Sequence, residues 1–260
     1  MSVFTAPLVG TFCWPELCSA DAAASKKFYE SLFGWEHEDH HMPEGDYSVF
    51  KMEGEGVGAI YEMQPDRKRA GVHPHWNSYV AVADADHIAE QCAFLGGKVL
   101  MQPFEAGADR MANLEDPLGA RFSIFEASRQ TEPIRLNEMG TLCWTELYTT
   151  DFDQAVAFYS ALFGWRAEPW EGGPMPYVVF HHNEQESRIG GMLEITDEMH
   201  ATKPMWEPYF QVEDADATAQ QAKQMGAKVC KVFDVPKIGR IAQIADPQGA
   251  MLAVIHPESQ

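Results

Sequence analysis

Gly10-Thr11-Phe12-Cys13-Trp14-Pro15-Glu16-Leu17 returns along the chain as Gly140-Thr141-Leu142-Cys143-Trp144-Thr145-Glu146-Leu147. The offset from Trp14 to Trp144 is 130 residues. That offset also carries Phe28-Tyr29 onto Phe158-Tyr159, and Leu32-Phe33-Gly34-Trp35 onto Leu162-Phe163-Gly164-Trp165. Further along it carries Trp76 onto Trp206, Tyr79 onto Tyr209, Arg110 onto Arg240 and Asp116-Pro117 onto Asp246-Pro247. One register held over such a distance marks an internal duplication. The copies run over 8–127 and 138–257. The stretch 128–137 between them, with Ser128-Arg129-Gln130-Thr131-Glu132-Pro133, reads as a polar linker punctuated by proline.

Within a copy, the pattern is strand, helix and three strands, carried out twice. Thr11 to Ser19 is rich in aromatic and apolar residues and suits a strand. Asp21 is a natural N-cap for a helix over Ala22–Phe33, whose apolar residues Ala24, Phe28, Leu32 and Phe33 recur near a 3.6 period; Gly34 ends it. Tyr47 to Met52 and Val57 to Tyr61 read as strands, and Gln64 to Pro74 as a Pro-rich charged loop. A strand over Trp76–Val82 and a second helix over Asp84–Leu95, stopped by Gly96-Gly97, open the second half. Strands over Lys98–Gln102, Arg110–Leu114 and Ala120–Phe125 follow, the last after the turn Asp116-Pro117-Leu118-Gly119. The expected fold is α+β: four βαβββ modules in two tandem copies, with curved mixed sheets that enclose cavities, the usual setting for a small-molecule site.

Composition narrows the partners. The chain has 260 residues and a formal net charge of −20. Such a surface repels phosphate backbones and anionic lipid, which argues against nucleic acid and membranes as partners. No apolar run approaches the ~20 residues of a membrane helix. Met1-Ser2-Val3-Phe4-Thr5-Ala6-Pro7 lacks the basic and apolar regions of a secretory leader. The five cysteines, Cys13, Cys18, Cys92, Cys143 and Cys230, include no Cys-x-x-Cys pair. An odd count without that pair argues against a disulfide framework or a structural zinc site, and for a reducing cytoplasm. Because the duplication supplies two copies in one chain, a monomer is expected, or a homodimer of such chains.

Asp21 followed by Phe28-Tyr29 and Leu32-Phe33-Gly34-Trp35, then Gly96-Gly97 and Asp116-Pro117-Leu118-Gly119, resembles the vicinal-oxygen-chelate superfamily. That group includes glyoxalase I, extradiol dioxygenases, fosfomycin-resistance enzymes and bleomycin-binding proteins. The opening Cys-Trp-x-Glu-Leu of both copies is most similar to a two-copy subgroup labelled hydroxylase or glyoxalase-like antigen. In the metal enzymes of the superfamily, His, Glu or Gln ligands sit on the first, fourth, fifth and last strands of a module pair. The resemblance places those positions on Trp14, Ile60 or Tyr61, Asn77 and Ser123 in the first copy. In the second copy they fall on Trp144, Met192 or Leu193, Glu207 and Ala253. Tryptophan and alanine cannot ligate a cation, and Glu207 alone cannot hold one. No cofactor is therefore expected, and a metal is unsupported at the usual positions.

Glu16 and Glu146 stand two residues beyond Trp14 and Trp144, hence on the same strand face. A carboxylate beside an indole in an apolar site is the environment of a general acid or base, so both are candidate catalytic residues. The competing role is structural, as acceptors of backbone or arginine hydrogen bonds. Tyr79 and Tyr209 share strand parity with Asn77 and Glu207 and join the candidate ligand-binding set, whereas Trp76 and Trp206 have the opposite parity and should pack under a helix. Arg110 and Arg240 open a strand that should border the cavity. They would grip a substrate carboxylate or, alternatively, pair with Asp109, Glu16 or Asp116. Glu36-His37-Glu38-Asp39-His40-His41 occurs once and reads as a solvated edge. His75, with Glu16 and Glu207, is the remaining argument for a metal, and His181-His182 reads as a strand end. The functional expectation is a protein that holds a small organic molecule, with a glutamate base and no metal. The alternatives are a metal-dependent lyase or dioxygenase, and a non-catalytic sequestering protein, for which the net charge favours a cationic ligand.

Overall fold

The computed structural model of the chain describes residues 7–42, 45–173, 175–185, 187–197, 199 and 201–258. Most of the opening stretch read above for a leader, Met1 to Ala6, lies outside these residues. The first repeat runs β1 (Phe12–Ser19), α1 (Ala22–Phe33), β2 (Glu36–Met42), β3 (Gly45–Met52), β4 (Glu55–Glu62), α2 (Pro65–Arg69), β5 (His75–Val82), α3 (Ala85–Phe94), β6 (Lys98–Ala106), β7 (Asp109–Glu115) and β8 (Arg121–Glu126). The second runs β9 (Leu142–Thr149), α4 (Phe152–Phe163), β10 (Arg166–Pro169), β11 (Val178–His181), β12 (Arg188–Glu194), β13 (Met205–Gln211), α5 (Ala215–Gln224), β14 (Lys228–Val235), β15 (Gly239–Ala245) and β16 (Met251–Pro257). This is the expected α+β pattern of four βαβββ modules. The one addition is α2, a turn of helix in the stretch read as a loop; Pro65 at its first position presets the helical φ.

Local chemistry fixes the helices. Asp21 accepts the Ala24 N–H at the start of α1, and Asp151 accepts the Gln154 N–H at the start of α4. Gly34 and Gly164 close the same helices in the left-handed region, with φ of 72° and 73°. Helix α1 buries Ser25, Phe28, Tyr29 and Leu32; of the periodic apolar residues, Phe28 and Leu32 lie in this stripe, whereas Phe33 is half-buried and Ala24 exposed.

Each repeat contributes one mixed eight-stranded sheet. The orders are β2-β3-β4-β1-β5-β8-β7-β6 and β10-β11-β12-β9-β13-β16-β15-β14. The pairs β1·β4 and β5·β8 are parallel, and the outer pairs are antiparallel. The chain packs as two compact units that cut across the repeats. One contains the described parts of Met1–Cys13, Ser78–Pro133 and Trp144–Glu207; the other contains Trp14–Asn77, Ile134–Cys143 and the described part of Pro208–Gln260. The repeats therefore exchange modules in forming their cores.

The duplicated tryptophans and aspartates make this exchange specific. In the first unit Trp206 Nε1 donates to Tyr159 Oη at 2.8 Å, and Tyr159 donates to Asp116 Oδ2 at 3.0 Å. In the second, Trp76 Nε1 donates to Tyr29 Oη at 3.2 Å, and Tyr29 donates to Asp246 Oδ2 at 2.9 Å. Each buried chain joins an aspartate turn of one repeat to a helix of the other. Trp76 and Trp206 thus pack against α1 and α4, as their strand parity implied. The Gly10 and Gly140 carbonyls of the opening motif are also read across repeats, by Trp165 Nε1 at 2.7 Å and Trp35 Nε1 at 2.8 Å.

Candidate functional site

Trp14, Glu16 and Cys18 alternate onto one face of β1. Glu16 pairs with Ala59, Leu17 with Ile60 and Cys18 with Tyr61. The open choice at the fourth strand therefore resolves to Tyr61, which shares the face of Glu16. On β3, Tyr47 lies opposite Tyr61 and Val49 opposite Ala59, extending the same face. The Tyr47 hydroxyl donates to Glu16 Oε2 at 3.0 Å. Burial first, and then the charge of Glu16, hold the Tyr47 phenol well above its ordinary range, so it remains a donor at neutral pH. Glu16 itself is only 5% exposed. A carboxylate so far from water requires such donors.

The second repeat builds the same group inside the other unit. Tyr177 donates to Glu146 Oε2 at 2.9 Å, and Trp144 Nε1 donates to Tyr177 Oη at 3.1 Å. Here the fourth-strand position is Leu193, which pairs with Tyr148 on the face of Glu146. Neither Tyr47 nor Tyr177 was among the residues expected from the sequence. Their signal was the 130-residue offset that relates them.

The two groups differ at one methyl. Val49, Ala59 and Glu16 stand in register, and so do Val179, Gly191 and Glu146. Gly191 is thus the counterpart of Ala59. A Cβ at Gly191 would fall 1.8 Å from Tyr177 Oη, so the pose of Tyr177 needs bare backbone beneath it. Ala59 supplies that Cβ and denies Tyr47 the same pose. The consequence falls on the indole. Trp14 Nε1 approaches the Tyr47 hydroxyl too loosely for a well-formed hydrogen bond, and among the described residues it has no better acceptor, although Trp14 is only 8% exposed.

The flanks also diverge. In the first repeat, Arg67 Nη1 donates to Tyr61 Oη at 3.1 Å, beside the buried Cys18 thiol, which burial pushes upward. In the second repeat, Tyr148, Leu193 and Ala201 form a buried cluster with Tyr177, Ile195, Met199 and Met205 packed on it. Tyr148 fills the position held by Cys18 in the first repeat.

Other expected residues are placed as follows. Asn77 and Glu207 are buried on β5 and β13. Tyr79 pairs with Ser123, whose Oγ donates to Asn113 Oδ1 at 2.8 Å; Asn113 had not been anticipated. Tyr209 pairs with Ala253, which in turn faces Gln243. Arg110 and Arg240 pair with carboxylates, though not those named from the sequence. Arg110 forks onto Asp86 at 2.7 and 3.1 Å and neighbours Glu105 and Glu126, whereas Arg240 forks onto Asp216 and reaches Asp234. Arg110 and Asn113 differ in strand parity, so the arginine points to the helix side of its sheet. None of the acidic partners considered from sequence is the one it uses. Strand β2 is exposed along its length and lies at a sheet edge, where His37 engages Glu30 and His41 engages Asp46.

The donor set does not fit a divalent ion. The first, fourth and fifth strand positions are Trp14, Tyr61 and Asn77 in one unit, and Trp144, Leu193 and Glu207 in the other. Each set offers at most one carboxylate and no imidazole. Among the described residues, no group of three or more His, Cys, Asp or Glu side chains is placed to hold a metal. His75 Nδ1 donates to the His73 carbonyl at 2.7 Å.

Comparison with known proteins agrees with this architecture. The profile of the Glyoxalase/Bleomycin resistance protein/Dioxygenase superfamily matches residues 11–124 and 141–254. A Mycobacterium tuberculosis protein provisionally named glyoxylase CFP32 is 40% identical over 256 residues, 96% of this chain and 96% of that protein. The anthracycline biosynthesis protein DauV of a Streptomyces species is 31% identical over 259 residues, 95% of this chain and 93% of that one. Among solved structures, a Mn(II)-bound glyoxalase from Novosphingobium aromaticivorans superposes with a TM-score of 0.63 at 14% identity, covering 95% of this chain and 82% of the other. A trihydroxybiphenyl dioxygenase from Sphingomonas wittichii gives 0.64 at 11%, covering 96% and 91%. At such identities the structural likeness concerns the fold alone.

Proposed function

The chain belongs to the glyoxalase/bleomycin resistance protein/dioxygenase superfamily, and we propose that it binds a small organic molecule against its buried Glu–Tyr pairs, with glutamate as the proton-transfer group and no metal at the usual positions. The observation that carries this reading is the Glu16–Tyr47 hydrogen bond at a nearly inaccessible point of the sheet face, repeated at Glu146–Tyr177. A carboxylate oriented by a phenol that stays protonated is equipped to take a proton from a bound carbon or oxygen acid and return it elsewhere on the same molecule. The indole and phenol rings around it suit a planar, conjugated ligand. Two relatives named for anthracycline biosynthesis fit with that preference, since anthracyclines are planar aromatic compounds.

Glu16→Gln combined with Glu146→Gln tests the reading. Glutamine preserves shape and can still accept the tyrosine hydrogen, so the fold should hold within about 1 kcal/mol. Turnover of an identified substrate should fall by about 10² to 10⁴. Unchanged turnover would assign the glutamates a purely structural role. Loss of binding by a ligand that is never turned over would instead make this a sequestering protein.

A further inference from the structure

We propose that the first repeat's site alone takes the ligand, and that the ligand is a planar organic anion, with an oxygen acceptor for the Trp14 N–H and a carboxylate-like group for Arg67. This inference rests on reading the Glu16 pair as a ligand site. Four differences between the repeats carry it. The Trp14 N–H is buried and approaches the Tyr47 hydroxyl too loosely for a well-formed hydrogen bond, whereas the Trp144 N–H makes a 3.1 Å bond to Tyr177. A buried donor without an acceptor is costly, and a ligand oxygen removes that cost on binding. The second difference explains the first: Ala59 prevents the tyrosine pose that Gly191 permits. Third, the ring beside Glu146 is the apolar-packed Tyr148, set against Leu193 and Ala201, whereas beside Glu16 the ring is Tyr61, whose hydroxyl meets the Cys18 thiol and the Arg67 guanidinium. Fourth, the first repeat sets the Arg67 guanidinium at the Tyr61 hydroxyl, within a group that otherwise carries the negative Glu16. The apolar residues Leu193 and Met199 border the second site.

A guanidinium held by a neutral phenol has the planar donor fork that receives a carboxylate. The aromatic rings of Trp14, Tyr47 and Tyr61 beside Glu16 favour a flat conjugated body as the partner. The second repeat then serves as the self-satisfied counterpart, retained for the packing that its module supplies to the shared cores.

The test uses two naphthyl probes of similar size and opposite charge, 1-naphthoate and 1-naphthylmethylammonium, titrated calorimetrically into the full chain. The expected result is one naphthoate site per chain and no site for the ammonium compound. Arg67→Gln should weaken naphthoate by about tenfold. Ala59→Gly should also weaken it, because Tyr47 then closes onto the Trp14 N–H; circular dichroism checks that both variants keep the fold. Two naphthoate sites per chain, indifference to Arg67→Gln, or no naphthoate binding would each overturn the proposal. So would tighter binding of the ammonium probe. If that binding disappeared in Glu16→Gln, the glutamate site would stand and only the anionic, Arg67-based assignment would fall. Probe binding indifferent to both Glu16→Gln and Glu146→Gln would remove both.

Discussion

Asp116→Ala is expected to lower the stability of the chain by about 4 kcal/mol, a melting-temperature drop of about 12 °C for a protein of this size. Asp116 is 2% exposed, and its carboxylate terminates four hydrogen bonds. Oδ1 accepts the Leu118, Gly119 and Ala120 N–H groups at 2.9, 2.7 and 2.8 Å, and Oδ2 accepts the Tyr159 hydroxyl at 3.0 Å. Alanine strands all four donors, three of them in the turn that launches β8. Because Tyr159 also receives Trp206, the loss spreads into the core built from both repeats. Thermal unfolding followed by far-UV circular dichroism measures it. A drop within about 3 °C would show that the turn and the tyrosine find other acceptors, and that the cross-repeat chain contributes little.

The same residue makes that penalty depend on pH. Burial raises Asp116 above its ordinary value of 3.8, despite the donors that pull it down. With the folded value above the unfolded one, the fold binds this proton more tightly than the unfolded chain. Its stabilising contribution is fully present below about pH 3.8 and declines as pH rises through the folded value. The penalty of Asp116→Ala should therefore be larger in mild acid than at neutrality, and urea unfolding of both proteins across that window checks the sign. Asp246, raised for the same reason, should behave alike.

The repeat made the fold legible, because helix caps, turn aspartates and strand parity all recurred at one offset. The candidate site was legible only along β1. Trp14, Glu16, Trp144 and Glu146 could be placed on one face because alternation within a strand is a local property. Tyr47 and Tyr177 reach that face through the pairing of β3 with β4 and of β11 with β12, which is set by register rather than by spacing. The decisive difference was hidden for a related reason. Ala59 and Gly191 are 132 residues apart, so a reading locked to 130 aligns Ala59 with Ile189 and never compares the methyl with its absence. The partners of Arg110 and Arg240 were not legible because a strand that borders a cavity has two faces. The carboxylates that choose between them, Asp86 and Asp216, lie on helices α3 and α5.

Adjacent glycines in β12 should respond to the same substitution in opposite ways. Gly190→Ala would put a Cβ 2.6 Å from the Thr145 carbonyl oxygen, a backbone atom of β9 that cannot rotate aside. Relief requires β12 to move off β9, breaking the parallel ladder in which Gly191 faces Glu146. We expect a loss of about 3 kcal/mol, or about 9 °C, together with disruption of the Glu146–Tyr177 bond. At Gly191 the obstacle is a side chain, since the Tyr177 hydroxyl can swing away. Gly191→Ala should therefore cost less, about 1–2 kcal/mol, with the damage confined to the freed Trp144 N–H and a changed indole environment. Melting temperature separates the two variants, and tryptophan fluorescence reports the second. Equal destabilisation by both would mean that Tyr177 is held as rigidly as backbone, and that the missing methyl is not what sets its pose. A mild Gly191→Ala with altered fluorescence would instead show that a single carbon decides whether the tyrosine closes on its indole or leaves that donor to a ligand.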